Sequence, residues 1–360
     1  MGLLASGLTG LFGKSFSDQV VVVAEIGVNH EGDGAHALRL VALAAEAGAD
    51  AVKFQTYSPE RFVAASDAER LARVRRFDLG MEGFRRVCAE ADRLGIACFS
   101  SAVTEDVVPA LAERCPAIKI ASGDLTFEPV VRGAARTGKP VLLSTGMATV
   151  EETDRSVGWI REEIGDAALA DRLVLLHCVS AYPAPLEQAA VRVVPFLADR
   201  YGVAVGYSHH APGLEPCLAA VALGAVLIEV HFTDCKHGRS FRDHSLSFEP
   251  AELALLVESV ARVRACLGRP GVKEPQPCEI AGRISGRKGV IAATDLPTGT
   301  VLTAADLMYA RPAEHIPSSG LPGLVGRRLC RAVPRGHMLR PDDVEPGWLP
   351  SDGVAGRVSS

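Results

Sequence analysis

Aromatic residues are scarce in this chain of 360 residues: they make up 5%, with only two tryptophans. That composition speaks against an aromatic-rich binding module. Positive charge is not in excess either. The 38 Lys and Arg face 43 Asp and Glu, for a formal charge of −5, which leaves no basic field for nucleic acid or an anionic membrane surface. No stretch approaches the roughly 18 uninterrupted apolar residues of a membrane span. The apolar N-terminus lacks a basic segment, so no secretion signal is expected. Met1-Gly2 with Ser6 fits the short myristoylation pattern, which has meaning only in a eukaryotic cell. None of the nine cysteines forms a C-x-x-C pair, and their odd number is scattered from Cys88 to Cys330. Neither a zinc ribbon nor a disulfide scaffold is indicated, and a reducing cytoplasm is the expected compartment.

What is present is aliphatic: hydrophobic residues reach 48%, enough for a sizeable Ala/Val/Leu core. The length predicts one large core with a smaller appendage. β-Branched or aliphatic runs occur at Val20–Ile26, Ala51–Thr56, Ile96–Ser101, Ala117–Ala121, Pro140–Thr145, Leu173–Val179, Val203–Tyr207 and Leu227–Phe232. Most are separated by segments of helical periodicity, the βαβα pattern of a parallel sheet. Eight such units predict an α/β fold, a (β/α)8 TIM barrel over residues 20–266, after an N-terminal extension at 1–19. Residues 267–286 break into Gly, Pro and charge and read as a linker. Beyond them Leu296-Pro297-x-Gly299-x-x-Leu302-x-x-x-Asp306-Leu307 returns as Val333-Pro334-x-Gly336-x-x-Leu339-x-x-x-Asp343-Val344. The repeat predicts a small pseudo-symmetric domain over 287–346, with little core of its own. Residues 347–360 read as a tail.

In such a barrel, chemistry sits at the C-terminal ends of the strands. Those ends carry Glu25 and Asn29-His30-Glu31, Lys53 and Gln55, Ser100-Ser101, Lys119, Ser122 and Asp124, Ser144-Thr145-Gly146, His177, Ser180 and Tyr182, Ser208-His209-His210, and Glu229 and His231. Two lysines with a collar of hydroxyls make an anion site for phosphate or carboxylate. Lys53 and Lys119 lie in otherwise apolar strands, where an unpaired ammonium is costly. His210 and His231 end consecutive strands. They are either the two imidazoles of an open divalent-metal site or hydrogen-bonded wall histidines. By strand alternation, the His209 side chain turns away from that pair.

The segments AEIGVNHEG (24–32), VKFQTY (52–57), KIASGD (119–124), STGM (144–147), His177-Cys178 with Tyr182-Pro183, and HFT (231–233) resemble the N-acetylneuraminate synthase family, the sialic acid and related nonulosonate synthases. The likeness runs from about Val20 to Glu345 in unbroken order. The C-terminal repeat resembles those enzymes' SAF (antifreeze-like) domain. The resemblance implies condensation of phosphoenolpyruvate with an N-acetylated aminosugar, N-acetylmannosamine or a diacetamido-dideoxyhexose, to a nine-carbon 2-keto acid and phosphate. By that resemblance Lys53, Ser101, Lys119, Ser122, Ser144, Ser180 and Ser208 hold phosphoenolpyruvate. Gln55, Tyr182 and Asp243 grip the sugar, and Glu25 and Asp124 are candidates for proton transfer. His210 and His231 match the ligands of a divalent metal, Mn²⁺ ahead of Mg²⁺ or Co²⁺. Arg311 matches the arginine with which the SAF domain of one chain completes the partner's site in a homodimer.

Three residues depart from the pattern: Asp124 stands for Glu, Ser180 for Asn and His209 for Asp. Ala102-Val103 replaces Pro-Phe, which would remove an aromatic from the pocket rim. Beside two lysines, the carboxylates at 25 and 124 are expected to stay ionised unless burial dominates. Two other readings compete: a Schiff-base aldolase using Lys53 or Lys119, and a non-catalytic carbohydrate-binding protein on a dead barrel.

Overall fold

The computed structural model describes residues 7–239, 241–268, 271 and 273–346. The chain divides into two compact units, Met1–Pro270 and Gly271–Ser360. In the first, eight strands close into a barrel: β1 (Val21–Gly27), β2 (Ala51–Thr56), β3 (Ala97–Ala102), β4 (Ile118–Ile120), β5 (Val141–Ser144), β6 (Leu173–Cys178), β7 (Ala204–His209) and β8 (Leu227–His231). Each pairs in parallel with its neighbours, and β8 returns to β1. Nearly every strand residue is buried, because the inner face fills the barrel and the outer face meets helices. The principal outer helices are Gly34–Glu46, Gly80–Leu94, Val108–Arg114, Glu128–Arg136, Val150–Ile164, Val193–Tyr201, Glu215–Ala222 and Pro250–Cys266.

Local signals set these boundaries. Asp33 caps the first helix by accepting from Ala35 N and His36 N, and Thr149 with Glu152 forms a capping box, each satisfying amides left free at a helix start. Gly95 ends its helix at φ +76°, a left-handed conformation that favours glycine.

The N-terminal extension is not featureless. Gly10–Leu11 and Lys14–Ser15 form a hairpin, and positive φ at both Phe12 and Gly13 is the type I′ geometry that matches strand twist. Phe12 packs on Phe99, centroids 5.0 Å apart. Lys14 Nζ donates to Val20 O, just before β1, and lies 2.9 Å from Asp50, just before β2, so the hairpin stoppers the end of the barrel away from the strand C-termini.

A satellite core lies over the strand C-termini, where Leu71, Val74 and Phe77 of helix Ala68–Phe77 pack with Val28, Tyr57, Val63 and Val103. Val103, of the Ala102-Val103 pair, is one member of this buried apolar cluster.

The second unit explains its repeat. Val333 stands 37 positions after Leu296, and the two pair with each other. The same offset exchanges the bridge Ile291–Met338 with Val301–Arg328. It also carries the pair Ala292–Leu307, between β9 (Gly289–Ala292) and β10 (Leu307–Ala310), onto Leu329–Val344. A pseudo-twofold axis passes through the Leu296–Val333 pair. Gly299 and Gly336 turn at φ +84° and +82°, while Asp306 and Asp343 each accept from the amide three residues back. One expectation needs correcting. The unit has its own core, which includes Val290, Leu302, Ile316, Leu324, Leu329 and Leu339. The segment read as a linker holds a short helix, Ile280–Gly286. The proposed tail and the myristoylation pattern at Met1, Gly2 and Ser6 lie outside the described residues.

Candidate active site

Strand register builds the site. Glu25 is level with Lys53 and His231, Ser101 with Lys119, and Ser208 with Glu229, so these side chains share the barrel interior. Lys53 Nζ lies 3.1 Å from Glu25 Oε2 and 3.3 Å from Glu229 Oε1, and donates to Ser101 Oγ at 3.3 Å. Lys119 Nζ is 3.6 Å from Glu229 Oε1, which also accepts from Ser208 Oγ at 2.9 Å. All are buried. The two lysines that looked costly from sequence are therefore paired. Their counter-ion Glu229 was visible at the end of a strand but was not among the expected site residues. Its signal was an acidic residue at an inward position two before His231.

Two carboxylates in one buried site diverge. Burial, aided by the charge of Glu229, pushes Glu25 up to about 7 despite Lys53. Burial works against Glu229 too, but Lys119 and Lys53 outweigh it and hold that carboxyl well below the usual range. Burial lifts Asp124 to about 6 against the pull of Lys119. At both carboxyls burial outweighs the lysines, the condition under which ionisation was not expected to hold, and it raises Glu25 further than Asp124. Burial likewise opposes the charge on Lys53, but Glu229 and Glu25 prevail and hold it above the ordinary range, whereas Lys119 is lowered by burial. Gln55 Nε2 reaches Glu25 Oε1 at 3.4 Å.

Around the rim, Gly146 N donates to Ser122 Oγ at 3.0 Å. A Cβ on Gly146 would fall 2.3 Å from Ser180 Oγ, 2.6 Å from Cys178 Sγ and 2.7 Å from Ser122 Oγ. The absence of a side chain there leaves a cradle of hydroxyls and a thiol. Ser144 Oγ is buried with no partner among the described residues, so a donor remains available to a ligand.

His210 and His231 face each other with ring centroids 5.3 Å apart. His210 Nδ1 sits 2.9 Å from Val179 O; with its proton there, Nε2 is left bare as an acceptor. Burial pushes both rings down to about 3, so both are neutral, as ligation requires. His231 Nδ1 has no hydrogen-bond partner, and Asp243 Oδ2 lies 3.9 Å away. Among the described residues no group of three or more His, Cys, Asp or Glu has the geometry to hold a metal. The imidazole pair therefore fits a divalent ion only in an open site completed by water or substrate oxygens. Tyr182 lies against both histidines, at 4.5 and 5.8 Å. Arg242, also missed from sequence, stands over the Tyr182 ring at 4.8 Å and donates to Asp243 Oδ1 at 3.2 Å. His209 turns away onto Tyr207 and Phe248, as strand alternation predicts. Arg311 belongs to the second unit, exposed just after β10.

The comparisons with known proteins bear on this geometry. Residues 40–271 match the NeuB family and residues 287–345 the SAF domain. The chain is 31% identical to the N,N'-diacetyllegionaminic acid synthase of Campylobacter jejuni, over 89% of this chain and 99% of that one. It is 32% identical to the human N-acetylneuraminate-9-phosphate synthase, over 87% and 89%. A Campylobacter jejuni pseudaminic acid synthase shares 30% identity over 90% of this chain. Among solved structures, the N-acetylneuraminic acid synthetase of Leptospira borgpetersenii superposes with a TM-score of 0.68 at 34% identity, over 73% of this chain and 90% of that one. The chain belongs to the NeuB family of sialic, legionaminic and pseudaminic acid synthases and carries a SAF domain at its C-terminal end.

Proposed function

We propose that this enzyme condenses phosphoenolpyruvate with an N-acetylated aminosugar, N-acetylmannosamine or a diacetamido-dideoxyhexose, giving a nine-carbon 2-keto acid and phosphate. The observation that carries this reading is the buried Lys53–Glu229–Lys119 cluster, with its hydroxyl collar, beside a facing pair of neutral histidines. In this reading Lys53 and Lys119 offset the anionic charge of phosphoenolpyruvate, while Ser101, Ser122, Ser144, Ser180 and Ser208 supply short donors. Gln55, Tyr182 and Asp243 orient the open-chain sugar. His210 and His231 would hold a divalent ion, Mn²⁺ first among candidates, and the chemistry it supplies when bound is polarisation of the aldehyde carbonyl. Carbon 3 of phosphoenolpyruvate attacks the aldehyde carbon, water adds at C2, and the tetrahedral intermediate expels phosphate. Glu25 and Asp124, poised near neutrality by burial, move the protons of these steps. The active species is proposed to be a homodimer in the cytoplasm, with Arg311 of one chain completing the site of the other.

The test is phosphate release from phosphoenolpyruvate with a panel of 2-acetamido sugars. Chelation should abolish it and Mn²⁺ should restore it; full activity in metal-stripped protein would refute the metal site. The Schiff-base alternative predicts the reverse, chelator-insensitive turnover and trapping by borohydride with a keto acid. Oxygen-18 in the bridging position of phosphoenolpyruvate should leave in the phosphate, because the collar is suited to holding an intact anion and offers no evident phosphoryl acceptor. Label in the keto acid would sink C–O cleavage. Gly146→Ala should raise the phosphoenolpyruvate KM by about 10–100-fold, the scale of one or two lost hydrogen bonds to a charged group. The sugar KM should change little. Equal change in both constants would place the cradle elsewhere in the reaction.

A further inference from the structure

Asp243 sits on a short turn, Arg242–Leu246, in the long connection after β8, and such a connection has little intrinsic rigidity. Its backbone is nevertheless tied down from the opposite end of the sequence. Ser247 Oγ donates to Asp243 O at 2.7 Å. Asn29 Nδ2, on the turn after β1, donates both to Ser247 Oγ at 3.0 Å and to Phe232 O at 2.8 Å. Asn29 and Ser247 are both fully buried. A second tie comes from the same turn, because His244 bridges Thr233 Oγ1 at 2.7 Å and Glu31 Oε1 at 3.2 Å. Phe241 packs edge-on against Phe77. Buried side-chain amides and hydroxyls that bond loop backbone specify one conformation, since no water replaces a partner that moves.

We infer that Ser247 and Asn29 are positioning residues that fix the Asp243 carboxylate beside His231 for the sugar, an inference that rests on the reading of Asp243 as a sugar contact. Ser247 bonds the Asp243 backbone directly, and Asn29 reaches it through Ser247 while also holding Phe232 O, so Ser247 is the residue that acts through Asp243 alone. A shift of about 1 Å in a substrate-orienting group can cost up to about 10²-fold; loss of one tie in a doubly tied loop should give about tenfold.

Ser247→Ala removes the central hydroxyl with little change of volume. Ser156→Ala is its control, since Ser156 is equally buried and its hydroxyl bonds Leu125 O, remote in sequence from this loop. Hydrogen exchange of the full-length protein should quicken at residues 241–248 in Ser247→Ala and not in Ser156→Ala. The sugar KM, measured with the sugar that the panel shows to be accepted, should rise about tenfold while that of phosphoenolpyruvate stays within twofold. The sugar effect should vanish in an Asp243→Asn background, where there is no carboxylate left to position. Unchanged exchange at 241–248, or the same rise in both variants, overturns the inference. So does an unchanged sugar KM in Ser247→Ala where Asp243→Asn raises it. If exchange rises locally but neither variant moves the sugar KM, the anchoring stands and the reading of Asp243 fails. Should Ser247→Ala not fold, Ser247→Cys retains a weak donor, and its exchange rate must fall between wild type and Asn29→Ser.

Discussion

Glu229→Gln should lower kcat by about 10²-fold, the scale of a general acid–base contribution, and should lower the melting temperature by roughly 6–12 °C. Glu229 Oε1 is the shared counter-ion of Lys53 and Lys119. Removing one partner of a buried ionic cluster costs about 3–5 kcal/mol, and the lower end applies because glutamine can still accept from Ser208. For a unit of this size one kcal/mol shifts the midpoint by about 2–4 °C. The catalytic loss follows from Glu25. Its upward shift owes part of its size to the charge of Glu229; without that charge Glu25 returns toward the ordinary carboxylate range. It then ionises at neutral pH and becomes the sole negative partner of the lysines. The kcat–pH limb near neutrality should move to lower pH.

The stability linkage has a definite sign. A carboxyl held below its unfolded value, as Glu229 is, contributes stability that is present above the unfolded value and is lost as pH falls through the folded one. Wild type should therefore lose its advantage over Glu229→Gln as the solution is acidified below about pH 4. Inorganic phosphate should stabilise the variant more than the wild type, because the anion replaces the missing charge. A melting temperature within a degree of wild type, at neutral pH without phosphate, would show that the cluster is not held by this carboxylate.

The barrel strands are legible in the sequence because β-branched runs bounded by polar ends are local signals. Lys53 and Lys119 stand out for the same reason, as charges within apolar strands. Glu229 was readable as a strand-end residue but not as their partner, since only register places it opposite Ser208 and beside both ammonium groups. The pKa order of Glu25, Asp124 and Glu229 was not readable at all. It depends on how much water each carboxyl loses, and burial is a property of the closed barrel. Asn29 and Ser247 carry no joint signal across a separation of 218 positions. The repeat at Leu296 and Val333 was legible, but its meaning as a core was not. Repeat positions such as Leu302 and Leu339 join one core only in the folded unit.

Mixed dimers of Arg311→Ala and His210→Ala chains should recover up to half of wild-type activity, although each parent alone should be reduced by 10²-fold or more, the range of a lost transition-state contact. The motive is chemical and topological. Arg311 is exposed at the end of β10, in a unit with its own core, while every other proposed contact lies in the barrel. A guanidinium suits a sugar because its planar fork binds hydroxyls or an acetamido carbonyl while staying charged. If Arg311 serves the partner's site, each mixed dimer holds one site with both defects and one with neither. If it serves its own chain's site, each site carries one defect and mixing restores nothing. Tagging the two chains differently and purifying through both tags isolates the mixed species, and titrating subunit ratio checks that recovery follows its abundance. Recovery in verified mixed dimers requires that a site draw on two chains, and its absence in those same dimers would overturn the exchanged arrangement.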